Sequence, residues 1–383
     1  MTKLVLRWPS AVVFSLLSAA AAVLPAWAVP GVTPTTVVLG QSAALTGGSK
    51  QIGLEMRDGA LAYFDYINSK GGVAGRKIVL KTLDDEFKAE RAEKNTQELL
   101  GGEGTFALFG YVGTPAALAG LTIAEKANVP FFAPFSGAAS LHGTQHNLFN
   151  VRADYVLEMD KIIENLGAIG AKKIAVLYPS DEYGKAGLAA AELALKKHNL
   201  TVFGTATVQR GSTDVAAAVA KMKAMQPQAV IIISAYTSSA AFIHAMRKDA
   251  ISIPYFWNIS SVNGQALATT LGAEARGVMI SQVIPSPWNT KIPVVKEYTR
   301  LYLGKPGREP GFVSLEGFIA AKAFVEGLER AGSDLTRPGF VKAVESMRHV
   351  DLGGYVLKFS ASDHEASDFV DLTVIRNDGS FMN

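Results

Sequence analysis

The feature that most constrains this sequence is an alternation of strand-sized apolar runs with helix-sized amphipathic stretches, which begins afresh near residue 154. In the first unit Val37-Val38-Leu39, Lys77 to Leu83 and Thr105 to Phe109 read as strands. Between them Met56, Ala60, Phe64 and Ile67 share one helical face, and further helices are expected from Ala89 to Leu100 and from Pro115 to Ala127. The short run Val129-Pro130-Phe131-Phe132 closes the unit. The second unit expects helices from Asp154 to Leu166, Gly184 to His198, Val215 to Met225 and Ser238 to Lys248. Its strands are expected at Lys172 to Leu177, Thr201 to Val208, Ala229 to Ile233, Pro254-Tyr255-Phe256 and Gly277 to Val283. Strands joined through helices imply right-handed crossovers and parallel sheets covered on both faces. Two such sheets in succession predict two lobes with a cleft between them. Three more helical stretches and a β-rich tail follow Pro285, and no low-complexity tether separates the units. The chain is therefore expected to pass between the lobes more than once.

Residues Met1 to Ala28 read as a secretory leader. Lys3 and Arg7 precede an apolar run from Ala11 to Leu24, Pro25 closes it, and Ala26-Trp27-Ala28 offers a small-x-small cleavage site. The run is short for a bilayer span. The sequence contains no cysteine, which removes disulfides, thiolate metal sites, thiol nucleophiles and a lipid-modified cysteine after the leader. Cleavage takes away two positive charges and lowers the formal net charge from +3 to +1. Such a balance gives no reason to seek nucleic acid.

The stretch Ile67-Asn68-Ser69-Lys70-Gly71-Gly72-Val73-Ala74-Gly75-Arg76-Lys77-Ile78, running into Asp84-Asp85, resembles the signature of leucine/isoleucine/valine-type periplasmic substrate-binding proteins of ABC transporters. Gly110-Tyr111 with Thr114-Pro115, then Pro134 to Ala138, then Tyr178 to Gly184, and finally Asn377-Asp378-Gly379 match the same pattern in order. The resemblance covers essentially all of the chain after the leader. It implies an α/β chain with the type I periplasmic-binding-protein fold: two doubly wound parallel-sheet lobes, a three-crossing hinge, and a ligand enclosed by hinge closure. The N-terminal lobe would comprise residues 29–150 and 284–358, the C-terminal lobe 151–283 and 359–383. The function implied is periplasmic delivery of a small carboxylate-bearing ligand to a membrane permease, with no cofactor, metal or catalysis. A monomer is expected of a protein that must close around its ligand.

In an open parallel sheet the loops at the carboxyl ends of the strands line the binding crevice. Gly110-Tyr111-Val112-Gly113 leads to Thr114 as a helix cap and Pro115 in the first helical position. The unpaired amides of that helix start, with the Thr114 hydroxyl, can receive a carboxylate, although Thr114 can equally serve only as a cap. Ser136, Gly137 and Ala138 can offer a hydroxyl and closely approached amides to the same anion. The resemblance implies that these positions contact the α-carboxylate in amino-acid binders, with Tyr111 beside them. From the second unit, Tyr183 and Tyr236 would cover the ligand, with packing as the rival role for each. The loop Thr46-Gly47-Gly48-Ser49 lacks the lysine and the glycine spacing of a phosphate cradle, and Lys50 reads as solvated.

Two departures from the family pattern bear on the ligand. The position of the acid that pairs with a ligand ammonium corresponds to Ser260, and an aromatic before the first helix is replaced by Ile52. A buried ammonium needs a partner. Either Asp181, Glu182 or Glu316 supplies it, or the ligand is an aliphatic or aromatic acid without an ammonium. Against an enzyme stands the lack of Gly-x-Ser-x-Gly, His-Glu-x-x-His, Ser-x-x-Lys and Gly-x-Gly-x-x-Gly motifs in the required contexts. His142 and His146 are spaced for a metal on a helix, but Gly143 between them argues for a loop and surface histidines. A ligand-sensing subunit for a receptor or regulator is the remaining alternative.

Overall fold

A computed structural model describes residues 1–2, 29–143, 145–248 and 255–382. The proposed leader, apart from Met1 and Thr2, and Pro254 lie outside the described residues. The first lobe is built from β1 (Thr36–Ala43), α1 (Lys50–Ser69), β2 (Lys77–Asp84), α2 (Ala89–Leu100), β3 (Ala107–Phe109), α3 (Thr114–Lys126), β4 (Phe131–Phe132) and β5 (Leu148–Phe149). The second follows with α4 (Tyr155–Ala168), β6 (Ile174–Pro179), α5 (Glu182–Lys197), β7 (Gly204–Val208), α6 (Ala216–Met225), β8 (Ala229–Ile232), α7 (Tyr236–Lys248), β9 (Tyr255–Asn258), α8 (Gly264–Leu271) and β10 (Met279–Gln282). The chain then adds α9 (Pro293–Tyr302), α10 (Phe312–Ala331), α11 (Arg337–Glu345), a small ribbon of β11 (Val350–Asp351) and β12 (Val356–Leu357), and finally β13 (Asp371–Ile375) and β14 (Phe381–Met382).

The first sheet runs β2-β1-β3-β4-β5, all parallel. The second runs β7-β6-β8-β9-β10 in the same doubly wound order, with β13 and β14 added antiparallel at its far edge. In each sheet the order reverses beside the first strand laid down, and that switch point opens a crevice at the strands' carboxyl ends. Aspartates and threonine set several helix starts: Asp154 accepts from the Leu157 amide, Asp181 from Gly184 and Thr336 from Gly339.

The first core stacks aromatic rings between the sheet and α10 and α11. Phe324 meets Phe109 and Phe132 edge-on at 5.9 and 5.3 Å, and Phe149 meets Phe359 at 5.7 Å. Each such buried ring contributes roughly 1.5–3 kcal/mol. Residues of α9, α10 and α11 thus share a core with the first sheet, although they follow the second in sequence. The return to the second lobe comes later than the expected break after residue 358. Phe359 and Ala366 still pack in the first core, and the second sheet is rejoined only at β13.

Three crossings are stitched together. Asn150 and Ala366 are joined by the Ala366 amide donating to the Asn150 carbonyl, while the Asn150 amide donates to His364. The Tyr355 hydroxyl lies 2.6 Å from the Val151 carbonyl and 3.3 Å from that of Val283.

Candidate ligand-binding site

The lobes enclose a void, and the residues lining it sit in the loops and helix starts that follow the carboxyl ends of strands. The first lobe contributes Ile52 at the start of α1, Phe87 after β2, Val112 and Gly113 after β3, and Phe135 after β4. The second contributes Tyr155, Tyr183 after β6, Arg210 after β7, Ala235 after β8 and Ser261 after β9. The space between them is about 270 Å³ with its mouth included, closed down so far that water centres can occupy only about 20 Å³. That is room for little more than one water molecule.

Asp84 and Asp85 shape the first-lobe wall. Asp84 accepts from the Leu45 amide and, at 2.5 Å, from the Thr46 hydroxyl, tying the loop after β1 to the end of β2. Asp85 accepts from Ser42 and from the Phe87 amide, both at 2.8 Å. Burial pushes the Asp85 carboxyl up to about 6, against those hydrogen bonds. The clamp holds Glu86 and Phe87 at φ 49° and 64°, a region costly for a bulky side chain, and so aims the Phe87 ring into the cleft.

Beside Phe87 stands the amino end of α3. Gly113, at φ 94°, is the cap residue and makes no side-chain cap bond. A Cβ there would come within 3.1 Å of the Phe87 ring. Thr114, expected as the cap, is instead the first helical residue, and Pro115 follows it. Its freed hydroxyl lies 2.8 Å from that of Ser136, which also accepts from the Ala138 amide at 3.2 Å. Thr114 and Ser136 are wholly buried and satisfy each other just behind Gly113 and Phe135. Gly137 leaves room for Tyr155, whose ring would be 2.6 Å from an added Cβ, and Ala138 packs into the second core.

The opposite wall is aromatic and cationic. Tyr183 bonds through its hydroxyl to Ser261 at 2.8 Å and packs edge-on against Tyr155 at 5.9 Å. Burial raises the Tyr183 hydroxyl well above its ordinary value, so it stays protonated. Arg210 donates from Nε to Asp181 at 2.6 Å, and its guanidinium lies 4.7 Å from the Phe87 ring centre and 5.3 Å from that of Tyr183. A second-lobe cation is thereby stacked on a first-lobe ring, a contact worth roughly 0.5–2 kcal/mol.

Of the nine expected site residues only Tyr183 lines the void; Thr114, Ser136, Gly137 and Ala138 lie behind its wall, and the other four fall farther off. Tyr111 is buried away from the void, bonded to Thr96 at 2.9 Å and edge-on to Phe131 at 4.9 Å. Tyr236 donates to the Gly48 carbonyl at 2.7 Å, where Thr237 also donates at 2.9 Å. These two bonds latch the lobes beside a larger groove, about 1020 Å³ with its mouth included, lined also by Gln51, Glu55 and Arg308. Ser260 turns away from the void, and its neighbour Ser261 faces it. The Ser260 amide and hydroxyl donate to Glu158 at 2.8 and 2.9 Å, and the hydroxyl also accepts from Arg152. Glu316, from α10, pairs with Arg152 at 3.5 Å. Burial lifts Glu316 to about 7 despite Arg152. His142 pairs with Glu365, while the His146 and His364 rings lie 6.5 Å apart.

Sequence reasoning passed over Ile52 as a contact and missed Phe87, Tyr155, Arg210 and Ser261. The signal was present for most of them, since Phe87 and Arg210 each follow a strand end, but both belong to strands at or near a sheet edge.

A protein of Brucella melitensis described as Leu/Ile/Val-binding protein homolog 3 is 24% identical over 358 residues, covering 88% of this chain and 90% of its own. The crystal structure of a possible leucine/isoleucine/valine-binding protein from Rhodopirellula baltica superposes with a TM-score of 0.87 at 29% identity, covering 94% of this chain and 98% of that one. A substrate-binding periplasmic protein from Ralstonia solanacearum gives a TM-score of 0.85 at 30% identity, covering 90% and 99%. Both lobes apart from the terminal β14, and all three crossings, fall within residues 36–380, the span matched by the family model described as periplasmic binding protein, and the chain belongs to that family.

Proposed function

We propose that this chain is a periplasmic solute-binding protein that captures a small carboxylate-bearing molecule between its lobes and hands it to the membrane permease of an ABC importer, without catalysing a reaction. The observation that carries this reading is the convergence, on one interlobe void, of the α3 amino end at Gly113 and the aromatic wall of Phe87, Phe135, Tyr155 and Tyr183, with the paired Thr114 and Ser136 hydroxyls buried just behind that wall. An anion at the α3 amino end gains the helix's partial positive charge and its unpaired amides. The paired hydroxyls can then trade their mutual bond for bonds to carboxylate oxygens. Rings from both lobes exclude water from the rest of the molecule. The relatives' names support amino acids as the solute class, and the leader supports export. Open and closed lobe arrangements need differ little in energy for a bridging ligand to select the closed one. A micromolar dissociation constant needs only about 8 kcal/mol.

The test is the double variant Thr114→Ala with Ser136→Ala. It is expected to unfold cooperatively near the wild-type temperature and to lose calorimetric binding of carboxylate ligands. Unchanged affinity would remove this anchor.

A further inference from the structure

Resting on the carboxylate reading just given, we propose that the captured acid carries no ammonium group and that Arg210, from the second lobe, is its counter-charge and the residue that selects it. The guanidinium is placed for this. Its Nη1 lies 3.8 Å from the point where a Gly113 Cβ would stand, so a full positive charge rests against the positive end of α3. Asp181 offsets that charge from the Nε side, and an anion between the guanidinium and the helix end would offset what remains. Asp181 meets only Nε, and Nη2 is buried without a hydrogen-bond partner. A buried donor without an acceptor is costly, and a carboxylate entering the void satisfies it with a charge-assisted bond.

The same void has no carboxylate to pair with an ammonium, and Arg210 already occupies the faces of Phe87 and Tyr183. Among the described residues, none of those lining it carries a carboxylate, and the second-lobe position facing it is Ser261. The acids nearby are committed: Asp181 to Arg210 and to the cap of α5, Glu158 and Glu316 to Arg152 behind Phe135. An ammonium here would meet Arg210 as a like charge in a site closed to water. An acid with a flat or branched apolar body meets rings instead.

The experiment is calorimetric titration of the purified protein with two matched pairs that differ only by the ammonium: 4-methylpentanoate against leucine, and 3-phenylpropanoate against phenylalanine. At least one acid is expected to bind about tenfold or more tightly than its amino-acid counterpart, as befits a desolvated charge contact. Arg210→Met is expected to weaken that acid about tenfold or more, with Arg210→Lys recovering part of the loss, while thermal unfolding confirms that both variants are folded. An amino acid that binds as tightly as its acid overturns this inference and leaves the carboxylate site standing. Wild-type affinity in a folded Arg210→Met overturns the role of Arg210. Failure of all four compounds to bind folded wild type overturns the carboxylate reading and this inference together.

Discussion

Arg152 has no exposed side-chain surface, and it is held between Glu316 of the first lobe and Glu158 and Ser260 of the second, under the Phe135 ring at 4.6 Å. Two carboxylates around one guanidinium in a dry setting leave one negative charge in excess, and burial lifts Glu316 from 4.5 to about 7. A carboxyl raised in the folded state contributes stability that is full below about pH 4.5 and is lost as pH rises through about 7. Glu316→Gln removes that loss. Its stability relative to wild type, measured by denaturant unfolding, should grow from pH 5 to pH 8, by up to roughly 3 kcal/mol. A difference independent of pH would contradict the assignment. This cluster also shows where residue-level reading stopped. The loop after β9 was legible as cleft-facing, but Ser260 to Val262 form a single 3-10 turn that rotates Ser260 toward Glu158 and Ser261 toward the void. A one-residue choice of that kind depends on the turn, which has no periodic signal. Tyr111 was misplaced for a related reason, because the residue two before the cap points behind the sheet.

At the scale of elements, periodicity and strand-end rules carried most of the fold. The α2 boundaries agree with those read from the sequence, and β8 is as thoroughly buried as its apolar run implied. What escaped was short: β5 has two residues, and α8 has eight in a small-residue stretch. Also invisible was how α1 and α10 meet, because that contact is made by glycines far apart in sequence. A methyl at Gly317 would overlap the Met56 carbonyl oxygen, and one at Gly59 that of Ser314. Gly317→Ala must therefore push the helices apart and should cost about 1–3 kcal/mol in denaturant unfolding. The internal control is Gly167→Ala near the end of α4, where an added Cβ meets nothing within 4 Å and where the change should be neutral or slightly stabilising. Equal destabilisation by both would sink the packing argument.

For the whole molecule, the decisive arrangement is that three crossings share hydrogen bonds through Asn150, Tyr355 and Ala366, while the lobes touch across the void through Arg210 and beside the neighbouring groove through Tyr236 and Thr237. On the proposed function, the crossings would confine relative motion to opening and closing, and a ligand bridging the lobes would decide between the two. Two lobes with repeated crossing could be read from the doubled alternation and the absence of a linker. The resemblance placed the last strands in the second lobe, which β13 and β14 join, but the point of return could not be read because those short strands carry no mark of where the crossing ends. The central claim is that the void between the lobes receives a carboxylate. Its most direct test is the melting temperature of the purified protein with 4-methylpentanoate or 3-phenylpropanoate, each compared with its own primary amide. Native-state ligands raise the melting temperature by mass action. The account predicts that at least one acid raises it and that its amide, lacking the charge, does not; an amide that stabilises as well as its acid, or no response to either acid, would contradict it.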